Sequence, residues 1–424
     1  MRISYGFTAA LLCCSTLVAA ESPVRASAFA APELTLEAAI ERALSASPRL
    51  SSAQADIRSA EGEAEQAGYR LNPELNFEAE NIGGTGPHRA FDGAVYTFSL
   101  SQELESGGKR GLRQSAANLQ IDLQRRELAT ERLELIQEVT IAYTRLIATQ
   151  EHLALAQEHT ELAKRLLKEV QQRVQAARES QLQLSQSEIV LARARLAEEV
   201  HERELQHAKR VLASFWLGRH EPWRYANGPF FKATEPVSED ALEARLKQHP
   251  SVLLWQAEQK RQNAILKFEQ AQAFPNPRVR LGVRQFEDTG DQALVVGLSV
   301  PIPVFNSNQG SVVRAKGQLV KTDSEGTNAW LELPNHGLQA LEDMINAYRQ
   351  ARTLSESIIP SAERAFELAR ESYVSGRFPY LEVLEAQRTL FETKENYIAA
   401  LGRYHVAKAK VEYVMATHLG DDLK

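Results

Sequence analysis

From Leu135 onward, apolar residues recur three and four positions apart: Leu135, Val139, Ala142, Leu146, then Ala163, Leu167, Val170 and Val174. The positions between them are mostly Glu, Gln, Arg and Lys. This is the stripe of a long coiled-coil-like helix. It is predicted over 109–177, about 70 residues and therefore roughly 105 Å at 1.5 Å per residue. No compact domain has that dimension. A second helical stretch over 181–217 is half as long, and a third over 48–70 supplies the remainder. Two shorter helices are thus expected end to end beside one long one.

Between the helical stretches the period changes to two. In the stretch 72–81, Leu75, Phe77 and Ala79 alternate with Asn76, Glu78 and Glu80. In its partner, Tyr96, Phe98 and Leu100 alternate with Thr97, Ser99 and Ser101. Later, Val279, Leu281 and Val283 oppose Arg278, Arg280 and Arg284, and Leu294, Val296 and Leu298 oppose Val295, Gly297 and Ser299. Polar, Gly-rich turns at 83–93 and 287–292 join each pair, so two β-hairpins are predicted, at about 74–104 and 277–303. Each strand is near the length that spans a bilayer. Alternation alone leaves open two ordinary half-buried surface hairpins.

The same order of elements occurs twice. The stretch 45–75 is similar to 246–279, each with a Pro (Pro48, Pro250) before an Ala/Gln-rich helix and an Asn-Pro pair (Asn72-Pro73, Asn276-Pro277) after it. The stretch 95–111 parallels 294–310, and 174–188 parallels 373–387, both about 199 residues apart. A first repeat over 34–217, a connector over 218–237 and a second repeat over 238–418 follow. The second long helix, about 309–375, contains Gly326, Pro334 and Gly337 within 321–338, where a kink or local break is expected.

Composition narrows the class. The 424 residues carry a formal net charge of −6, which gives no bulk electrostatic case for nucleic acid. The N-terminus pairs Arg2 with an apolar run from Phe7 to Ala20 and small residues suited to signal peptidase. A signal peptide over 1–20, or to 30 with the second cleavage site, is expected. Both cysteines, Cys13 and Cys14, lie inside it. The exported chain would have no disulfide, thiolate nucleophile or thiolate metal site. No later stretch is apolar enough for a transmembrane helix, so a membrane crossing would use strands.

The search for chemistry returns little. His152/His159 and His201/His207 lack the i,i+4 spacing of a helical metal pair and are expected on solvated faces. There are three methionines, no phosphate-binding Gly loop, no nucleophile elbow and no triad spacing. No enzyme activity, no cofactor and no metal site are expected.

Geometry connects the hairpins to a membrane. Four strands cannot close a barrel, and an open sheet edge is not tolerated in lipid. Several chains must then share one barrel, and a homotrimer would give twelve strands. Its wall would be apolar toward lipid and polar within, with Glu78 and Glu80 near Arg278, Arg280 and Arg284 lining the lumen. The fold class expected is mainly α with a small β part, a trimeric α-helical barrel continuing below a shared 12-stranded β-barrel.

At this point the sequence resembles the outer-membrane efflux channel family typified by TolC. The resemblance rests on LTLEAAIERALSASPRL (34–50), the two Asn-Pro strand starts, SQELESGGKRG (101–111), VPIPVFNSNQG (300–310) and SYVSGRFPYLEVLEAQRTL (372–390). It covers almost the whole exported chain. The Gly-Gly-Lys-Arg turn and the Pro-Ile-Pro-Val-Phe run look most like the branch serving cobalt-zinc-cadmium-type exporters. The resemblance implies an outer-membrane channel of a Gram-negative bacterium that spans the periplasm. It would passively conduct substrate, heavy-metal cations on the branch likeness, from an inner-membrane pump of resistance-nodulation-division type through a periplasmic adaptor. Two alternatives were weighed: an adaptor, which should carry a compact β-rich domain between its helix arms, and a coiled-coil scaffold. Drugs or other small organic molecules are the alternative substrates.

The family closes its periplasmic end with acids just past a helical tip. Matched on Tyr373 and Gly376, Glu382 and Glu385 fall at those positions. They lie one helical turn apart, hence on one face. In a threefold tube they would bring six carboxylates to the axis, attracting cations and raising one another's pKa. For an isolated chain the same pattern describes a solvated helix face. The two tips, with Ser180, Leu182, Gly376, Arg377 and Leu381, are the expected adaptor-docking sites.

Overall fold

The structure, a computed structural model, describes residues 33–218, 223, 225–247 and 249–417. The expected signal peptide lies outside the described residues. Each repeat opens with a short helix, α1 (Leu36–Ala46) or α5 (Glu239–Leu246), ahead of the longer α2 (Pro48–Gly68) or α6 (Pro250–Ala271). The sequence pattern starts the first predicted helix of each repeat at Pro48 and Pro250. Those prolines start a second helix, because Pro disfavours helical geometry in the residue before it. Ser47 and His249 are accordingly extended, with ψ of 124° and 136°. Thr35 and Ser238 cap the short helices by accepting from the backbone N–H of Ala38 and Ala241.

Strands β1 (Glu74–Glu80) and β2 (Val95–Glu103) follow α2, and β3 (Arg278–Phe286) and β4 (Gln292–Ser299) follow α6. They form one antiparallel sheet in the order β1-β2-β3-β4. β2 pairs with β3, so the central seam joins the two repeats and the outer edges are β1 and β4.

Below the sheet run α3 (Lys109–Gln175, 67 residues) and α4 (Gln181–Ser214). Their counterparts are α7 (Gln309–Thr353), a π-helical turn at Leu354–Ile358, α8 (Ile359–Val374) and α9 (Tyr380–Val414). At 1.5 Å per residue, α3 and the α7–α8 column are each about 100 Å long. α3 packs on α2 and α4 on one side and on α6 and α9 on the other, while α7 packs on α6 and α9, and α8 on α9. The helices form four columns: α2 with α4, then α3, then α6 with α9, then α7 with α8. The first and last are the outer columns.

The duplication is written into the backbone. Left-handed residues recur at equivalent places: Gly108 and Asn308 as the N-caps of α3 and α7, Ala177 and Gly376 at the tips, Leu217 and Ala416 at the ends of α4 and α9. Ala176, Ala177 and Arg178 donate to Gln172, Val174 and Arg173. Ser375, Gly376 and Arg377 repeat this with Glu371, Tyr373 and Ser372. The same helix-ending motif therefore closes both long columns.

The break expected within 321–338 does not occur there. α7 is assigned continuously through Pro334. The glycines serve packing: a Cβ on Gly337 would lie 3.0 Å from Val414 and 3.2 Å from Leu242, and one on Gly326 3.4 Å from Trp255. Burial of Leu333, Gly337 and Leu341 offsets the bond lost at Pro334. The departure from α-helix falls at Leu354–Ile358, just before Pro360, which has no N–H to give.

Buried clusters run down the columns. A central one gathers Val139, Tyr143, Leu146, Leu212, Trp223 and Leu401. One near the tips gathers Leu166, Val170, Phe366, Tyr373, Tyr380 and Val383.

Candidate functional site

The sheet has two unlike faces because side chains alternate along each strand. Leu75, Phe77, Phe98, Leu100, Leu281, Leu294, Val296 and Leu298 share one face, and all are exposed, Leu75 at 80% and Leu294 at 71%. Phe77 lies 4.8 Å from Phe98, ring to ring. An apolar face of this size, left open, marks an interaction surface. The opposite face is ionic. Arg280 pairs with Glu78 at 2.7 Å, Arg284 with Glu80 at 3.3 Å, and Arg278 with Glu74 and Glu103 at 3.1 and 3.2 Å. Arg280 Nε also donates to Ser99 Oγ at 2.8 Å, and Arg284 Nε to Thr97 Oγ1 at 3.0 Å. The arginines of β3 thus lie flat across β2 to reach the acids of β1, burying Thr97, Ser99 and Ser101 beneath them. All five residues expected on the polar face lie on it: Arg280 and Arg284 pair with Glu78 and Glu80, and Arg278 with Glu74 and Glu103 instead.

The other end of the columns carries the two tips, held side by side. Arg173, in the last turn of α3, donates to the carbonyls of Tyr373 at 2.8 Å and Val374 at 3.0 Å. Its guanidinium sits 4.4 Å over the Tyr373 ring. Arg370 pairs with Glu169 at 3.2 Å one turn higher. Gln387, on α9, is buried with no hydrogen-bond partner for its amide. Sequence reading missed this tie, for Arg173 and Tyr373 are 200 positions apart and an arginine on a helix carries no local signature.

Ser180, Leu182, Gly376, Arg377 and Leu381 are all exposed on these tips. So are Glu382 and Glu385, on the face of α9 opposite buried Val383, Gln387 and Leu390. The two acids differ in one respect not anticipated. Arg388 Nε donates to Glu385 at 3.1 Å and Arg388 Nη1 to Glu392 at 3.0 Å. Within one chain the Arg388 bond holds the Glu385 carboxyl below the usual carboxylate range. The i,i+3 spacing was the signal that could have revealed this pair.

His207 is exposed as expected, while three other histidines depart from expectation. His152 and His201 are half-buried where α3 meets α4, their rings stacked at 5.6 Å, and His159 stacks on Phe391 at 4.1 Å. Burial pushes the His152 and His159 pKa down. Among the described residues no group of three or more His, Cys, Asp or Glu could hold a metal ion, and no helix is long and apolar enough to cross a membrane.

The comparisons with known proteins agree with this architecture. The cobalt-zinc-cadmium resistance protein CzcC of Cupriavidus metallidurans is 28% identical over 386 residues, 91% of each chain. The pyoverdine export outer membrane protein OpmQ of Pseudomonas putida is 26% identical, over 87% of this chain and 82% of its own. A membrane protein from Pseudomonas aeruginosa shares the fold, with a TM-score of 0.78 and 18% identity over 90% of each chain. The model of the outer membrane efflux protein family matches residues 39–216 and 242–416, one stretch for each repeat, and this chain belongs to that family.

Proposed function

We propose that this outer membrane efflux protein works as a homotrimer whose hairpins pool into a 12-stranded barrel, above a tube made of the helical columns. The observation that carries this reading is the sheet. It has an apolar face open to its surroundings, an ionic face on the other side, and edges at β1 and β4 with no strand partner among the described residues. Lipid tolerates such a sheet only when its edges are closed. Closure by three copies puts Glu78, Glu80, Arg278, Arg280 and Arg284 around a water-filled lumen. The outer helical columns meet in the same operation.

The channel is passive, and a periplasmic adaptor and an inner-membrane pump of resistance-nodulation-division type supply substrate and energy. The exposed tips at Ser180, Leu182, Gly376, Arg377 and Leu381 receive the adaptor. Heavy-metal cations are the substrate class favoured by the likeness to a cobalt-zinc-cadmium resistance protein. Small organic molecules are the second reading, favoured by the likeness to a pyoverdine exporter. A strain lacking the protein separates them: loss of cobalt, zinc or cadmium tolerance supports the first, and unchanged metal tolerance with retention of an organic compound supports the second.

Glu382 and Glu385 line the periplasmic aperture in this reading. Glu382 carries more of the field, since Glu385 shares its charge with Arg388. Reversal potentials of the purified channel in a planar bilayer test this. Glu382→Ala is expected to lower cation preference more than Glu385→Ala. Unchanged selectivity and divalent block in the double variant would remove both residues from the aperture.

A further inference from the structure

One joint between the repeats lies where the strands turn into helices. The turn from β2 into α3 packs on the linker from α6 into β3. Leu104 N–H donates to Pro277 O at 2.8 Å, and Ser106 N–H to Asn276 Oδ1 at 3.1 Å. Lys109 Nζ donates to Phe274 O at 2.6 Å and to Asn276 Oδ1 at 2.7 Å, and Asn276 Nδ2 to Glu103 at 2.9 Å. The fit is close: a Cβ on Gly107 would lie 2.9 Å from the Phe274 ring. Lys109 is buried, and Ser106 and Asn276 are half-buried.

Each half of this joint has a twin elsewhere in the chain. Aligned on the N-caps Gly108 and Asn308, the β4–α7 turn puts Val304 at the place of Leu104, Asn306 at that of Ser106 and Gln309 at that of Lys109. Aligned on the Asn-Pro pairs, the α2–β1 linker puts Asn72 and Pro73 at the places of Asn276 and Pro277. Both twins are bare. Val304, Phe305, Asn306 and Gln309 are exposed, Phe305 at 92%, as are Asn72 and Pro73. They sit at opposite margins of the chain, one leading out of edge strand β4 into outer helix α7, the other out of outer helix α2 into edge strand β1.

We infer that these bare halves join between neighbouring copies: Val304–Gln309 of one chain packs on Asn72-Pro73 of the next, repeating the joint seen within the chain. The inference rests on the ring-closed assembly proposed above and names a contact that closes it. Closing β4 against the next copy's β1 continues the interface that β2 makes with β3. In the repeated joint Asn72 Oδ1 accepts from the Asn306 backbone N–H, and Pro73 O from that of Val304, which within one chain donates to Ile302 O at 2.9 Å and exchanges that partner on joining. Phe305 enters the groove of about 440 Å3 beside Asn72, whose walls include Arg70, Leu71, Leu104 and Arg110. The copy differs from its original in charge. Glu103 and Lys109 give way to Pro303 and Gln309, so the turn that enters the joint between chains carries no charge at these two places, while the groove receiving it keeps Arg70, Arg110, Glu103 and Glu105 in its walls.

Cross-linking tests this on the full chain in outer-membrane vesicles. Asn72→Cys is combined with Asn306→Cys, both native cysteines lying at 13 and 14. A short bis-maleimide is expected to convert the monomer band to covalent dimer and then trimer, with no larger ladder. Should the double variant fail to reach the membrane, chains bearing one cysteine each are co-expressed, and covalent dimers are expected only from the mixture. Native mass spectrometry of detergent-purified protein runs in parallel. A trimeric particle with no covalent product, both thiols remaining reactive after unfolding, overturns the joint and spares the trimer. A monomeric particle overturns the assembly, and the joint with it.

Discussion

Arg173 is the residue whose removal should alter the tips most. Its two bonds to the Tyr373 and Val374 carbonyls, at 2.8 and 3.0 Å, are charge-assisted, and its guanidinium lies 4.4 Å over the Tyr373 ring. Hydrogen bonds to charged groups contribute about 1.5–3 kcal/mol each, with the low end appropriate where one carbonyl stays accessible to water. A partly exposed cation–π contact adds about 0.5–1 kcal/mol. Arg173→Ala also hands both carbonyls to solvent, which recovers part of that sum. A net loss of about 3 kcal/mol per chain remains, roughly a hundredfold in the balance between docked and undocked α8–α9 tip. Two readouts follow. Amide exchange at Ser375, Gly376 and Arg377, whose N–H groups close the tip turn, should accelerate strongly. Conductance of the purified channel should rise, with Arg173→Lys in between because it keeps the charge over Tyr373 and loses the fork. An Ala variant with native exchange at the tip and native conductance would show that the tips are held by packing alone.

Further outcomes can be stated briefly. Gly337→Val should cost about 1–3 kcal/mol, because its Cβ alone would lie 3.0 Å from Val414. An unshifted thermal melt of the helical circular dichroism would contradict this. His249 is buried with its pKa pushed down to about 4, chiefly by desolvation, so the fold holds it neutral. Protonation therefore destabilises: a penalty absent above about pH 6.5 grows as pH falls toward 4 and reaches about 3 kcal/mol. His249→Gln should flatten that part of the pH–stability curve, and an unchanged slope would refute the assignment. Arg388→Ala should free the Glu385 charge and raise cation preference in reversal-potential measurements; an unchanged preference would show that the Glu385–Arg388 pair lies away from the path.

Much of this fold was legible in the sequence, for identifiable reasons. The three-and-four stripe of α3 and the period-two alternation of the strands are local patterns, and the Asn-Pro pairs and matched tips revealed the duplication. The ion pairs on the polar face of the sheet followed from alternation once acids lay on β1 and arginines on β3. Other features were hidden. The division of α1 from α2 turns on the backbone of Ser47 alone. The glycines of α7 resemble breakers until Val414, Leu242 and Trp255 are placed against them. The Arg173–Tyr373 tie joins residues brought together only by the tertiary fold. The pairing of Glu385 with Arg388 is local, at i,i+3, and is legible once the base is read together with the acids.

The π-helical turn at Leu354–Ile358 has a mechanical consequence. A π turn takes up one residue without advancing the helical twist by that residue's share, about 100°. Everything on α8 beyond it, the second tip included, is rotated by about that angle relative to an unbroken rod. The two long columns start alike at Gly108 and Asn308 and then fall out of phase, so tips built on the same turn motif present unlike sides to whatever meets them. Deleting one residue from this turn would restore a regular helix and leave the orientation of the second tip unchanged, whereas adding one to the regular helix would rotate that tip by about 100° with no chemical change at the tip itself.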